Sequence, residues 1–243
     1  MPKVVCIVQA RMGSTRLPGK SLKDLGGTTL IESVYAGASM AKSVSEVIVA
    51  IPESRLDEEL FDFLTCKGLN VVRGSESDLI SRHLHVAYGA KADFIVRIPG
   101  DNPLPHGSEI DRIVDFHLQF NSRGFSTNLS EVFDSGYPDG IGAEIFSGQV
   151  LEEIFNSKPS RRQREHLHLN FFDYENQIET KPSTYPVRTV KCPENFARPD
   201  IILDINTNRD FDYFQTMFRD LGTTKPHIQD IIPWHDQVGF LLR

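Results

Sequence analysis

Near the start of the chain stands the sequence Val4-Val5-Cys6-Ile7-Val8-Gln9-Ala10-Arg11-Met12-Gly13-Ser14-Thr15-Arg16-Leu17-Pro18-Gly19-Lys20. Its first five residues form a continuous apolar run, which is typical of a strand buried on both faces of a parallel sheet. The twelve residues that follow contain two arginines, a lysine, two glycines and two hydroxyl side chains. This pattern predicts a strand that ends in a loop for binding phosphate.

The residue types of this loop explain the prediction. Gly13 lets backbone N–H groups approach an anion, and the two hydroxyls after it add donors. The cations Arg11, Arg16 and Lys20 can neutralise phosphate charge. The loop is not a Walker loop, because its two glycines bracket five residues instead of four. The alternative is a solvated basic turn without a ligand.

Apolar runs recur through the first hundred residues, at 47–51, 70–72 and 94–96. Between them lie helical patterns of roughly ten to fifteen residues. This alternation predicts an α/β fold with a doubly wound, mostly parallel sheet, whose ligand crevice lies at the carboxyl ends of the strands. In this half the sequence predicts one helix from residue 28 or 29 to about 42, and three more at 55–66, 77–90 and 108–119.

The regular alternation fades after residue 120. Segment 121–142 is rich in Gly, Ser, Asp and Asn without a sustained period, which predicts a small irregular insertion. We expect a single domain over 1–243, with an excursion at about 121–190 within it. In this half the sequence predicts helices at 147–157, 161–172 and 207–220, and strands at 185–190 and 201–205.

Composition restricts the class of protein. The 243 residues carry a formal net charge of −7, with 40% hydrophobic and 24% charged residues. The acidic balance disfavours a nucleic-acid partner. Three widely spaced cysteines indicate neither a disulfide framework nor a zinc site. The N-terminal apolar run is too short for a signal peptide, and nothing approaches a membrane span, so we expect a cytoplasmic protein without membrane contact.

The loop of residues 9–20 resembles the signature loop of the CMP-sugar synthetases, a cytidylyltransferase family, in the form found in its spore coat polysaccharide branch. The resemblance implies a Rossmann-like nucleotidyltransferase that binds CTP, requires Mg²⁺ and forms a homodimer. It also implies catalytic roles for Arg11 and Lys20. The residues implied to bind the nucleotide here are Gln9, Ala10, Arg11, Met12, Gly13, Ser14, Arg16 and Lys20.

A second loop follows the third predicted strand, where a glycine turn leads into a helix with acidic residues at its start. Acids at this end suit the helix dipole. The segment also resembles a family motif that implies contact with the nucleoside. The implied residues are Arg73, Gly74, Ser75 and Asp78, and a helix cap without a ligand is the alternative for Asp78.

A third loop, Arg97-Ile98-Pro99-Gly100-Asp101-Asn102-Pro103-Leu104, follows the fourth predicted strand. A carboxylate in this position can hold Mg²⁺ beside nucleotide phosphates. The family places its metal-binding aspartate in this motif, so Asp101 is predicted to be catalytic and to bind metal. An Asx turn before Pro103 is the alternative. The resemblance further implies nucleotide contacts for Pro99 and Gly100, and an acceptor contact for Asn102.

Two later segments, Tyr137–Ser147 and Arg164–Leu167, resemble motifs of the spore coat branch. The resemblance implies that they bind a small acidic acceptor, with Arg164 pairing with its acid group. The excursion at about 121–190, which contains both segments, is therefore expected to serve acceptor binding and dimerisation. A packed helical histidine is the alternative for His166. The implied acceptor residues are Asp139, Glu144, Arg164, Glu165 and His166.

Strand alternation places Asp204 and Asn206 on one face. The resemblance implies Asp101 and the position of Asn206 as metal ligands, and Asp204 is added because it shares the face of Asn206, so the predicted ligands are Asp101, Asp204 and Asn206. The relatives carry an aspartate where this chain has Asn206, and an amide offers a carbonyl oxygen without charge. We expect a weaker metal site for this reason.

The resulting hypothesis is transfer of CMP from CTP to an acidic sugar, or a similar small acid, for surface polysaccharide or glycoconjugate precursors. One alternative is a glycosyltransferase that consumes a nucleotide sugar. The only Asp-x-Asp in the chain is Asp210-Phe211-Asp212, on a predicted helix, which disfavours it. A non-catalytic nucleotide-binding relative is the other alternative, if Asn206 abolishes metal binding.

Overall fold

A seven-stranded sheet lies at the centre of the computed structural model, which describes residues 2–120 and 123–242. Its strands are β1 (Val4–Gln9), β2 (Glu46–Pro52), β3 (Val71–Gly74), β4 (Phe94–Pro99), β5 (Phe125–Thr127), β6 (Glu144–Ser147) and β9 (Val187–Arg188). A separate hairpin contains β7 (Phe172–Asp173) and β8 (Ile178–Glu179). The helices are α1 (Leu30–Ala38), α2 (Glu58–Cys66), α3 (Leu79–Ala90), α4 (Gly107–His117), α5 (Gly148–Asn156), α6 (Arg161–Glu165), α7 (Asn208–Leu221) and α8 (Ile228–Gln237).

The strand order is β3-β2-β1-β4-β6-β5-β9. Strands β1 to β4 are parallel, and β6 pairs antiparallel with both β4 and β5. Because β1 and β4 are neighbours in register, the loops that follow them lie side by side. The amino end of the reversed β6 reaches the same edge, where Glu144 pairs with Arg97.

Helices cover both faces of the sheet and bury its alternate residues. Val4, Cys6 and Val8 belong to one apolar cluster, with residues of α1, α2, α4, α7 and α8. Val5 and Ile7 belong to the other, with residues of α3 and α5. The doubly wound, mostly parallel sheet predicted from the sequence is thus confirmed. Among the described helices, none combines the length and apolar character that crossing a membrane requires.

The structure differs from the predicted elements where side chains or loops compete for backbone groups. Helix α1 ends at Ala38 instead of 42, and the Ser39 hydroxyl donates to the Tyr35 carbonyl at 2.7 Å, in competition with the helical ladder. The predicted helix 161–172 breaks at His166, whose φ of −118° and ψ of 84° are not helical. It continues as a short 3₁₀ turn, Leu167–Asn170.

Segment 201–205 was expected to be a strand, and this prediction is wrong. It forms an isolated bridge between Ile202 and Asp139. Its backbone instead bonds to loops, since the Ile205 N–H donates to the Asp101 carbonyl at 2.8 Å. The strand expected at 185–190 shortens to Val187–Arg188.

The predicted irregular segment 121–142 also contains β5, while Asn121 and Ser122 lie outside the described residues. The sequence pattern predicted neither this strand nor its partner β6. The C-terminal helix α8, which packs into the first apolar cluster, was missed as well.

Candidate active site

A cavity of about 280 Å³ opens at the carboxyl ends of β1 and β4. Four cationic side chains line it, from the loop after β1 and from α3: Arg11, Arg16, Lys20 and Arg82. Such a concentration of cations suits a polyanion. Other predicted site residues that line it are Gln9, Ala10, Ser14, Gly100, Asp101, Glu165, His166 and Asn206.

The loop after β1 is folded around its own backbone. The Met12 carbonyl accepts from the N–H groups of Ser14 at 2.9 Å and Gly19 at 3.1 Å. The Met12 N–H donates to the buried Asp57 carboxylate at 2.7 Å. Burial raises the pKa of Asp57, against the lowering effect of the Met12 N–H. These contacts fix the loop, so its cations do not have to be ordered by a ligand alone.

Arg82 also lines this cavity, although the sequence motifs had not assigned it to the site. It is only 5% exposed, and its Nη1 donates to the Ser75 carbonyl at 3.0 Å. Its buried Nε has no hydrogen-bond partner among the described residues. Burial, and then the neighbouring Arg11, lower its pKa to about 10, so it remains cationic at neutral pH. Its position in the second loop motif, one turn after Asp78, was the signal that could have identified it.

Lys20 connects the first loop to the third. Its Nζ donates to Asp101 Oδ2 at 3.0 Å and to the Ile205 carbonyl at 2.6 Å. The Ile205 N–H in turn bonds to the Asp101 carbonyl. The catalytic candidates Lys20 and Asp101 are therefore in contact, although 81 positions separate them.

Arg16 makes a similar connection to the segment before α7. Its Nη2 donates to Asn206 Oδ1 at 2.6 Å, and Asn206 Nδ2 donates to Asp204 Oδ2. Asp204 and Asn206 are therefore neighbours, as strand alternation predicted, although the segment forms no strand.

A second cavity, of about 670 Å³, adjoins the first. Arg16, Asp101 and His166 line both cavities, so the two meet there. The second cavity contains the predicted residues Pro99, Asn102, Asp139, Glu144 and Asp204. It also contains residues that the sequence analysis did not assign: Arg97, Ser130, Arg162, His168, Asp173, Tyr174 and Glu175.

A buried polar network forms one wall of the second cavity. Arg97 pairs through Nη1 with Glu144, and its Nε donates to Gln9 Oε1 at 2.8 Å. The Tyr174 hydroxyl donates to the other Glu144 oxygen at 3.0 Å. Because a guanidinium only donates, Gln9 must turn its carbonyl oxygen to Arg97, which leaves its NH₂ group as the donor available to the first cavity. Burial, and then Arg97, lower the pKa of the nearby His168 to about 4, so it is neutral at pH 7.

Several predicted residues have partners away from both cavities. Asp78 caps α3 by accepting from the Ser81 N–H at 2.9 Å, and it pairs with Arg164. Arg73 pairs with Glu58 at 2.8 Å. The predicted residues that line neither cavity are Met12, Gly13, Arg73, Gly74, Ser75, Asp78 and Arg164.

Comparisons with known proteins agree with this geometry. A family model described as cytidylyltransferase matches residues 5–216. The chain is similar to the spore coat polysaccharide biosynthesis protein SpsF of Bacillus subtilis, with 29% identity over 227 residues, or 91% of this chain and 89% of that protein.

Solved structures show the same likeness. A cytidylyltransferase from Leptospira borgpetersenii matches with a TM-score of 0.83 and 28% identity, over 100% of this chain and 97% of that one. A CMP:2-keto-3-deoxy-manno-octonic acid synthetase complexed with CTP shares the fold, with a TM-score of 0.65 and 18% identity over 90% of this chain and 99% of that one. With the family model matching most of its length, this chain belongs to the cytidylyltransferase family of nucleotidyltransferases.

Proposed function

We propose that this protein transfers CMP from CTP to a hydroxyl of a small acidic acceptor, such as an acidic sugar, and releases pyrophosphate. The observation that carries the proposal is the junction of the two cavities at Arg16, Asp101 and His166. One cavity is lined by four cations and the other by mixed polar side chains. An acceptor in the second cavity would therefore meet a nucleotide phosphate in the first.

The reaction would proceed by in-line attack of the acceptor oxygen on the α-phosphorus of CTP, with the hydroxyl proton passing to water and the bond between the α-phosphorus and the oxygen that bridges to the β-phosphorus breaking. Pyrophosphate would leave toward the cations of the first cavity, Arg11, Arg16, Lys20 and Arg82. Their charge would stabilise the leaving group, and the fixed loop would orient the phosphates. No covalent nucleophile is required in this scheme.

The described residues contain no group of three or more His, Cys, Asp or Glu side chains that could hold a metal ion, so a hard divalent cation such as Mg²⁺ would depend on two carboxylates and on oxygens of the substrate phosphates. Asp101 and Asp204 both line the second cavity, and the Lys20 ammonium already lies between Asp101 and the Ile205 carbonyl, in an oxygen-rich site that attracts a cation. Mg²⁺ commonly uses one or two carboxylates together with substrate phosphates. Asp101 and Asp204 would hold the ion, which would neutralise phosphate charge when bound.

The position of Arg162 supports the proposal that the acceptor is acidic. Arg162 lines the second cavity, whereas Arg97 is neutralised there by Glu144. Arg164, which the family resemblance implied for this role, is paired with Asp78 instead. We therefore assign the acceptor's acid group to Arg162. We propose that the product is a precursor for the synthesis of surface polysaccharides.

Segment 121–190 supplies much of the second cavity, including Glu144, Arg162 and Tyr174. We infer that this segment binds the acceptor within a single domain of residues 1–243. A homodimer through the same segment stays a prediction, and light scattering on the purified protein would test it. A mass of one chain at micromolar concentration would contradict it.

The experiment for the proposed function is calorimetric titration of each of the four ribonucleoside triphosphates with Mg²⁺. We expect the protein to bind CTP in preference to the others and Asp101→Ala to weaken this binding by at least about tenfold, since a charge-assisted contact contributes roughly 1.5–3 kcal/mol. Pyrophosphate release with CTP and candidate sugar acids then identifies the acceptor.

Asp62→Ala is the matched control, because Asp62 is an exposed carboxylate on α2, outside both cavities. It should bind CTP as the unchanged protein does. If no nucleotide binds, or if all four bind equally, the proposed function is wrong.

A further inference from the structure

Asn206 lies between Arg16, which lines both cavities, and Asp204, which lines only the second. Its Oδ1 accepts from Arg16 and its Nδ2 donates to Asp204. A guanidinium can only donate and a carboxylate can only accept, so these two partners together define the orientation of the amide. Each polar atom of the Asn206 side chain therefore already has a partner within the protein.

The backbone holds this amide in place from both sides. The Asn206 N–H donates to Asp210 Oδ2 at 2.9 Å, in the capping box that starts α7. On the other side, Ile205 bonds through its N–H to the Asp101 carbonyl and through its carbonyl to Lys20. Asn206 is thus fixed between α7 and the loop that contains Asp101.

The neutrality of Asn206 has a physical reason. An aspartate at this position would set two carboxylates against each other, because Asp204 lies within hydrogen-bond reach. It would also hold Arg16 as a full ion pair, in competition with phosphate. An amide, which accepts on one side and donates on the other, satisfies both neighbours without either effect.

We propose that Asn206 is a positioning residue that links Arg16 to Asp204 and acts on the nucleotide through Arg16, instead of serving as a metal ligand. This inference rests on the proposed function, because it takes CTP as the ligand of the first cavity. It assigns the oxygens for the cation to Asp101 and Asp204.

The first test is a double-mutant cycle on CTP affinity, measured by calorimetry in EDTA so that no divalent cation contributes. We expect Asn206→Ala to weaken binding by about fivefold and Arg16→Ala by about thirtyfold, from typical neutral and charged hydrogen-bond contributions. The double variant should match Arg16→Ala within about twofold, because the residue through which Asn206 acts is already gone. Losses that multiply would overturn the proposal.

The second test uses Mn²⁺ alone, without nucleotide, and measures the free ion by electron paramagnetic resonance. Asn206→Ala should keep the Mn²⁺ affinity within about twofold, whereas Asp204→Asn should lower it by about tenfold or more. Asn206→Asp should tighten Mn²⁺ binding, because it adds a carboxylate, and should weaken CTP binding in EDTA. A loss in Asn206→Ala as large as that in Asp204→Asn would make Asn206 a ligand and overturn the proposal.

The two tests separate this inference from the proposed function. A wild-type protein that binds no CTP contradicts the proposed function, and the Mn²⁺ measurements still decide whether Asn206 is a ligand. A wild-type protein that binds CTP but shows multiplying losses contradicts only the role of Asn206.

Discussion

Arg162 and Arg164 lie two positions apart on α6 and have different surroundings. The Arg164 guanidinium pairs with Asp78, donates to the Pro159 carbonyl at 3.3 Å and lies 5.3 Å from the Phe155 ring centroid. These contacts join α6 to α3 and α5. Arg162 instead lines the second cavity. At the scale of single residues, the structure therefore shows a packing role for Arg164, while the acceptor contact of Arg162 is part of the proposed function.

Matched substitutions should separate the two arginines. Arg164→Met should lower the free energy of unfolding by about 1–2 kcal/mol, since it leaves the partly buried Asp78 without its cation. Arg162→Met should keep the unfolding free energy within about 0.5 kcal/mol, as for an exposed position. With an acidic acceptor it should raise KM for that acceptor by about tenfold. Urea unfolding and initial rates measure these changes, and an unchanged acceptor KM in Arg162→Met would contradict the assignment.

The sequence predicted that Arg11, Lys20 and Asp101 belong to one site, because each lies in a short motif directly after a strand. All three line the first cavity. The sequence could not show that Arg164 forms an ion pair with Asp78, because the two are 86 positions apart and belong to separate motifs. The predicted cations also lacked Arg82, whose position one turn after Asp78 in the second loop motif was a signal, although an arginine on a helix does not by itself show in which direction it points. Residue type was thus readable, while the partner of each residue depended on tertiary packing.

Among the secondary-structure elements, β1 and β4 lie so close at their ends that a side chain does not fit between their loops. A Cβ built on Gly100 would lie against the Gln9 carbonyl oxygen and 3.2 Å from the Ala10 Cβ. The loop that contains Asp101 can therefore pack beside the first loop only with glycine at this position. The Gly100 N–H also donates to the Gln9 carbonyl at 2.8 Å.

Gly100→Ala should displace the Asp101 loop and lower the free energy of unfolding by about 1–3 kcal/mol, as for other overpacked sites. Gly89→Ala is the control, because Gly89 lies in α3 and an added Cβ meets nothing within 4 Å. It should stabilise the protein by roughly 0.5–1 kcal/mol. Thermal unfolding and CTP titration of both variants test this, and equal behaviour of the two would contradict it.

The first four strands were predictable because each is a short apolar run that is followed by a helix with its own period. Strands β5 and β6 were not, since Phe125–Thr127 and Glu144–Ser147 are three and four residues long and contain polar side chains that are buried by the network around Glu144. The error at 201–205 has the opposite cause. Ile201, Leu203 and Ile205 are buried while Ile202 is exposed, which is the alternation of a strand, but the hydrogen bonds of the segment go to loops.

Two fully buried histidines couple the stability of the whole molecule to pH. Burial is the main cause that lowers the pKa of His83 to about 3 and that of His117 to about 4. In the unfolded chain a histidine has a pKa of about 6.5. Below that pH the unfolded state binds more protons, so the stabilising contribution is present above about pH 6.5 and is lost as the pH falls toward the folded values.

Urea unfolding at pH 7.5 and pH 5.5 should show this loss, at about 1.4 kcal/mol for each histidine over this interval. His83→Gln should reduce the difference between the two pH values by about that amount. His85→Gln, at an exposed position on the same helix, should not change it. The same pH difference in all three proteins would contradict the assignment to His83.

The contacts that complete the two cavities join distant parts of the chain. Lys20 and Ile205 are 185 positions apart, and Arg16 and Asn206 are 190 apart. The ribosome therefore makes the cationic loop well before its partners Ile205 and Asn206. A nascent chain that stalls before residue 200 can carry the strand and its basic loop, but not the contacts that hold Arg16 and Lys20. Under the proposed function, a nascent chain should therefore bind CTP in the full site only after Asn206 has been made and the two segments have met.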